Sequence, residues 1–110
     1  MKYVYIAGPY TGNEGRNVRH AMAVASNLMA SGLVPYVPHL SHFMDIVFPH
    51  DYEEWIAYDL EWLRVCDVLL RLPGESTGAD RETKQAEEWG IPVYYSLQEL
   101  MRVQRLSVET

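Results

Sequence analysis

Short apolar runs and helical spacings take turns along this chain. KYVYIAG (Lys2 to Gly8) is rich in β-formers and ends at Gly-Pro, which predicts a first strand. Val18, Ala21, Met22, Ala25, Leu28 and Met29 then recur at the spacing of a helix, and Gly32 marks its end. LVPYVP (Leu33 to Pro38) reads as a second strand, whose prolines place it at a sheet edge. His39 to His50 carries neither rhythm and reads as a loop. Asp51 stands before Glu54 at the spacing of a capping box, opening a helix that runs to about Cys66. DVLLRL (Asp67 to Leu72) is a third strand, and the loop GEST leads into a helix closed by Gly90. IPVYY (Ile91 to Tyr95) is a fourth strand, and Ser96 with Glu99 caps a last helix. The tail after about Arg105 is expected to be loose.

Strand and helix alternating in this way predict an α/β fold of three layers. The expected sheet is parallel, flavodoxin- or Rossmann-like, with helices on both faces. Right-handed crossovers make 2-1-3-4 the natural strand order, in one domain spanning residues 1–110. Ligands of such sheets bind beyond the carboxyl ends of the strands where the winding reverses, here between strands one and three. The loops at that point, GPYTGNEGRN and PGESTGADRE, are Gly-rich and lead into helices, so both can offer backbone N–H groups to an anion.

Two carboxylates stand out against this frame. On the helix from Asp51 to Cys66, Trp55, Ile56, Leu60, Trp62, Leu63 and Cys66 form an apolar stripe. Asp59 falls inside it, where an ionised carboxylate costs several kcal/mol unless paired or hydrogen-bonded. Either Asp59 caps a turn or pairs with Arg71 or Arg81, or the stripe opens onto the cleft and Asp59 lines it. Glu82 begins the next helix, four residues after Gly78. An acid there suits the helix dipole, yet Glu82 shares a face with Ala79, Ala86 and Trp89, a face expected to turn inward. Two carboxylates in one cleft suit glycosyl chemistry. Asp67, at a helix-to-strand junction, reads as a turn cap. Tyr10 and Thr11 follow strand one and would face a ligand. Arg16 and Arg19 are either phosphate contacts or a solvated helix face.

Composition narrows the partner. The chain has 110 residues, 48% of them hydrophobic, which suffices for one core. A net charge of −6 argues against a nucleic-acid polymer as partner, since such binders usually carry a basic stripe. Cys66 has no second cysteine to pair with, which fits a reducing compartment, and reads as a small buried hydrophobe. No signal-peptide pattern or membrane-length apolar run is visible, so a soluble, cytoplasmic protein without membrane contact is expected. His39 and His42 lack a third partner at metal spacing. They are assigned to base contact or loop packing, and no metal or cofactor is expected.

Three stretches in the right order, YIAGPYTG (Tyr5 to Gly12), DLEWLRVCDVLL (Asp59 to Leu70) and STGADRE (Ser76 to Glu82), resemble the nucleoside 2-deoxyribosyltransferase-like superfamily. The resemblance is nearest to the small 2′-deoxynucleoside 5′-monophosphate N-glycosidases and their phage and bacterial relatives. It implies that Glu82 is a nucleophile and that Asp59 contacts the sugar and assists departure of the base. It implies 5′-phosphate binding at Ser76 and Gly78. A phosphate- and sugar-binding loop follows from Gly8 to Gly12, with Tyr10 beside the sugar. Thr11 stands where those hydrolases carry a basic residue, and Arg16 is the candidate substitute. Asp80 and Arg81 replace a small or apolar stretch. The function implied is hydrolysis or transfer at the N-glycosidic bond of a small nucleotide or nucleoside, in a homo-oligomer, most simply a dimer. The alternative is a non-catalytic nucleotide-binding or sequestering module using the same cleft.

Overall fold

The computed structural model describes the backbone of residues 2–109 and the side chains of residues 2–104. Four strands, β1 (Tyr3–Ala7), β2 (Val34–Tyr36), β3 (Val68–Arg71) and β4 (Val93–Tyr94), form one sheet in the order β2-β1-β3-β4. All pairings are parallel: Tyr3 lies opposite Val34, Tyr5 opposite Leu69, and Leu70 opposite Tyr94. The expected strand order and the edge position of the proline-bearing strand are both found.

Five helices surround the sheet: α1 (Glu14–Ala30), α2 (Ser41–Val47), α3 (Tyr52–Arg64), α4 (Thr77–Glu88) and α5 (Leu97–Glu109). Because successive strand residues point to opposite faces, β1 supplies two cores. Val4 and Ile6 join Ala21, Val24, Leu28 and Leu100 under α1 and α5. Tyr5 and Ala7 join Leu63, Cys66, Ala79 and Ala86 under α3 and α4. Each fully buried aliphatic side chain contributes about 1.5–3 kcal/mol, so both faces hold the sheet. The capping box at Asp51 and Glu54 is present, and Ser96 Oγ accepts from the Glu99 N–H at 3.1 Å. Asp67 Oδ2 accepts from the Tyr3 N–H at 2.7 Å, the structural role expected of it.

Several expectations are corrected. Residues 39–50 are not a loop: a 3-10 turn, Pro38–Leu40, runs into α2. This short helix buries no residue, and Phe43, Met44, Ile46 and Val47 are all exposed. Apolar positions all round it leave no one-sided rhythm to read. Its entry is held by a side chain instead, since Ser41 Oγ donates to the Pro38 carbonyl at 2.8 Å. In α1 the buried stripe is narrower than predicted, Ala21, Val24, Ala25 and Leu28, with Met22 and Met29 exposed. Trp62 is half-exposed and stacks on Tyr36, and Trp89 lies at the surface beneath the Arg64 guanidinium. The tail remains helical through Glu109, where a loose end was expected. Among the described residues no helix is long and apolar enough to cross a membrane.

Candidate active site

At the carboxyl ends of β1 and β3 the chain leaves the sheet in two loops packed together. A Cβ on Gly8 would meet Leu72 Cβ at 2.9 Å, and one on Gly74 would meet Pro9 Cγ at 2.7 Å. Gly74 also has φ +114°, which side-chain-bearing residues rarely adopt. Arg71, buried at the end of β3, donates to the carbonyls of Leu72 and Gly74 and to Asp80 Oδ1, the last at 2.9 Å. One guanidinium thus fastens the second loop to α4. The first loop is held by Asn17 Nδ2, which donates to the Tyr10 carbonyl at 3.0 Å. His39 Nε2 lies 3.0 Å from the Pro9 carbonyl. A carbonyl only accepts, so His39 carries its proton on Nε2 and presents Nδ1 as an acceptor. Burial pushes the His39 pKa down and keeps the ring neutral.

A cavity of about 610 Å³ lies between these loops, α2 and α3. Gly8, Tyr10 and Thr11 line it from the first loop, Ser76 from the second, Asp59 from α3, and Gly78 and Glu82 from α4. Gly12 and Arg16 are not among its lining residues, and Arg16 is exposed on α1. The cavity therefore gathers most residues singled out in the sequence but not the arginine suggested for a phosphate. Among the described residues no lysine or arginine lines it.

Glu82 and Asp59 are 5% and 7% exposed, and each is met by a tyrosine hydroxyl. Tyr5 Oη, from β1, donates to Glu82 Oε2, and Tyr36 Oη, from β2, donates to Asp59 Oδ1 at 3.3 Å. The two tyrosine rings lie 5.5 Å apart, and Tyr36 stacks on Trp62 at 5.2 Å. Neither arginine considered as a partner for Asp59 reaches it: Arg71 is bound to Asp80, and Arg81 to Glu53 at 2.9 Å. Burial pushes Glu82 up to about 8; the nearby Asp59 adds to the rise, while the Tyr5 hydroxyl opposes it. Burial likewise pushes Asp59 up to about 7 against the hydroxyl of Tyr36. A neutral carboxyl and a carboxylate can therefore coexist here near neutral pH, with the shared proton favoured on Glu82, the group whose pKa is higher.

Beside Tyr10 and His42 the lining holds Asp45, His50 and Trp55, which the sequence did not single out as site residues. Asp45 of α2 accepts at Oδ1 from the Trp55 indole N–H at 2.7 Å and from the His50 backbone N–H at 2.9 Å. Tyr10 and His42 rings approach to 4.8 Å, and His50 meets Trp55 edge-on at 5.4 Å. Reading residues 39–50 as a loop hid this wall; the available signal was Trp55 one helical turn before Asp59. Tyr5 and Tyr36 were also missed, as ordinary strand aromatics. No group of three or more His, Cys, Asp or Glu side chains among the described residues is arranged to hold a metal.

A family model described as Domain of unknown function (DUF7768) matches residues 2–96. The chain belongs to that family. Among solved structures, this DUF7768 chain resembles the 2-deoxyribosyltransferase of the psychrotolerant bacterium Bacillus psychrosaccharolyticus. The two share 21% identity with a TM-score of 0.60, over 83% of this chain and 69% of that one. It also resembles a 2-desoxiribosyltransferase from Leishmania mexicana, at 20% identity and TM-score 0.63, over 84% of this chain and 62% of that one. A conserved protein from Enterococcus faecalis V583 matches at 19% identity and TM-score 0.70, over 97% of this chain and 75% of that one. No curated protein matches the sequence. These likenesses establish the 2-deoxyribosyltransferase-like fold of the DUF7768 chain.

Proposed function

We propose that the cavity breaks the N-glycosidic bond of a deoxynucleoside or its 5′-monophosphate, with Glu82 as nucleophile and Asp59 assisting departure of the base. The observation that carries this reading is the pair of buried carboxyl groups lining one cavity, each met by a tyrosine hydroxyl from the sheet. The ionised Glu82 attacks C1′ of the sugar, the C1′–N bond breaks, and its electron pair leaves with the base. Asp59, protonated, donates to the departing base. The glycosyl ester on Glu82 is then attacked at C1′ by water or by a second base, whose proton passes to the Asp59 carboxylate; the C1′–O bond breaks, restoring the Glu82 carboxylate and the protonated Asp59. Dividing one displacement into two lowers each barrier, and acid assistance typically contributes about 10²–10⁴-fold. The fold shared with two proteins named as deoxyribosyltransferases supports transfer as well as hydrolysis.

A 5′-phosphate, where present, would rest at the start of α4. Ser76 Oγ accepts from the Ala79 N–H at 3.1 Å and keeps its own proton for a phosphate oxygen. With no arginine or lysine on the lining, the phosphate adds less affinity than in a basic pocket, so parent nucleosides remain substrates. The test is release of free base from a panel of deoxynucleosides and their monophosphates, by wild type and Glu82→Ala. Release by wild type alone supports the reading. Binding without release from any substrate identifies a sequestering module instead.

A further inference from the structure

We infer that the outer end of the cavity is a base subsite in which Asp45 selects an amino-bearing nucleobase, of the cytosine or adenine kind. The inference rests on reading the cavity as a nucleoside site. Trp55 and Asp59 are four residues apart on α3, so Trp55, which donates to Asp45, stands about 6 Å along the helix from Asp59. A base leaving C1′ beside Asp59 would occupy that space. Its walls are aromatic: Tyr10 with His42 on one side, Trp55 with His50 on the other. Flat rings of this kind suit the face of any base and do not choose among them.

The choice falls to the polar atoms. Both hydrogen bonds that Asp45 accepts end on Oδ1. Those two donors fix the carboxylate's orientation and hold its pKa below the ordinary range, so it is ionised at neutral pH. Oδ2 receives no hydrogen bond among the described residues, and an ionised carboxylate oxygen can only accept. The complementary edge of a base is an exocyclic amino group, the pairing by which acidic side chains recognise cytosine. A carbonyl oxygen at that place, as in uracil or hypoxanthine, would oppose it. His39, on the same lining, adds a second acceptor: its Nδ1 is buried without a partner among the described residues.

Asp45→Asn separates recognition from packing. The two donors hold the asparagine oxygen where Oδ1 was, and the amide NH₂ takes the place of Oδ2. Base release is measured from the deoxynucleosides of cytosine and uracil, and of adenine and hypoxanthine. Thermal shifts with free cytosine and free uracil accompany it. Wild type should favour the amino-bearing base by about tenfold or more, and Asp45→Asn should reverse the order. Equal handling of both kinds by wild type, or an unchanged preference in Asp45→Asn, overturns the inference. If no nucleoside is cleaved, the catalytic reading fails by itself, and the thermal shifts still decide the subsite. Stabilisation by cytosine over uracil, lost in Asp45→Asn, supports it, and no difference overturns it.

Discussion

Tyr5, in the middle of the sheet, donates its phenolic hydrogen to Glu82 Oε2 in the middle of α4. The bond crosses from β1 to the helix above it and leaves Oε1 for a substrate. Tyr5 is fully buried, so Tyr5→Phe removes one hydroxyl and little packing. Hydrogen bonds to charged groups contribute about 1.5–3 kcal/mol. Tyr5→Phe is therefore expected to lower kcat/KM by about 10- to 100-fold. The limb of its pH profile near 8 should also move upward, because the hydroxyl holds the Glu82 pKa down. Unchanged kinetics at every pH would show that Glu82 needs no positioning from the sheet.

The pH–rate profile should be a narrow bell. The mechanism uses the singly protonated Asp59–Glu82 pair in the form that carries the proton on Asp59; the two values favour the proton on Glu82, so the reactive form is the minor one of the two. Burial places the two carboxyls at about 7 and about 8, and the pair titrates as a unit. Below about 7 both are protonated and the nucleophile is lost; above about 8 both are ionised and the acid is lost. kcat/KM measured against pH should peak between these values. A plateau extending well into the acid range would contradict the assignment.

Stability should carry the opposite signature. Both groups have folded-state pKa values raised above their ordinary 3.8 and 4.5. Their protonated forms favour the fold, and that stability is lost as pH rises through about 7 and 8. Asp45 and the exposed Glu53 and Glu54 are shifted downward and act in a lower window. The Tm of wild type should therefore fall as pH rises from about 4, the ordinary carboxylate range, to about 8. Glu82→Gln, which cannot ionise, should flatten much of that slope. An equally steep slope in Glu82→Gln would mean that other groups carry it.

Gly8 tests whether the cleft depends on close backbone contact. A methyl group there would sit 2.9 Å from Leu72 Cβ, on the packed junction of the two loops. Gly8→Ala is expected to cost about 1–3 kcal/mol and lower the Tm. Gly12→Ala meets no atom within 4 Å, but φ +102° imposes strain. Its expected loss is smaller, about 1 kcal/mol, and it leaves base release in place because Gly12 lies off the cavity lining. Melting curves of the two variants distinguish these outcomes.

Asp59 and Glu82 were legible because each breaks a periodic pattern: a carboxylate inside an apolar stripe, and an acid on the inward face of a helix. Glu82 was expected in the first turn, but α4 begins at Thr77 and places it in the second, with Asp80 in the first. The sheet order was legible because strand and helix alternate with clear Gly and Pro stops. Tyr5 was not, since a tyrosine alternating with Val4 and Ile6 looks like any strand aromatic. Only the packing of α4 over β1 gives its hydroxyl a partner. Asp45 was hidden more deeply. Its helix shows no apolar face, and its bonds to His50 and Trp55 depend on how that helix is laid against α3. Arg16 illustrates the converse: it sits near the first loop in sequence, but it lies exposed on α1, off the cavity lining.

The central claim is that Glu82 bonds covalently to the sugar. Wild-type protein is quenched in acid during turnover of a cleaved deoxynucleoside, digested, and its peptides are analysed by mass spectrometry. The expected result is a peptide containing Glu82, heavier by one deoxyribosyl group, with fragment ions placing the added mass on that side chain. The adduct should be absent from Glu82→Ala, which should release no base. A sugar adduct on any other residue, or base release by Glu82→Ala at the wild-type rate, would contradict the mechanism.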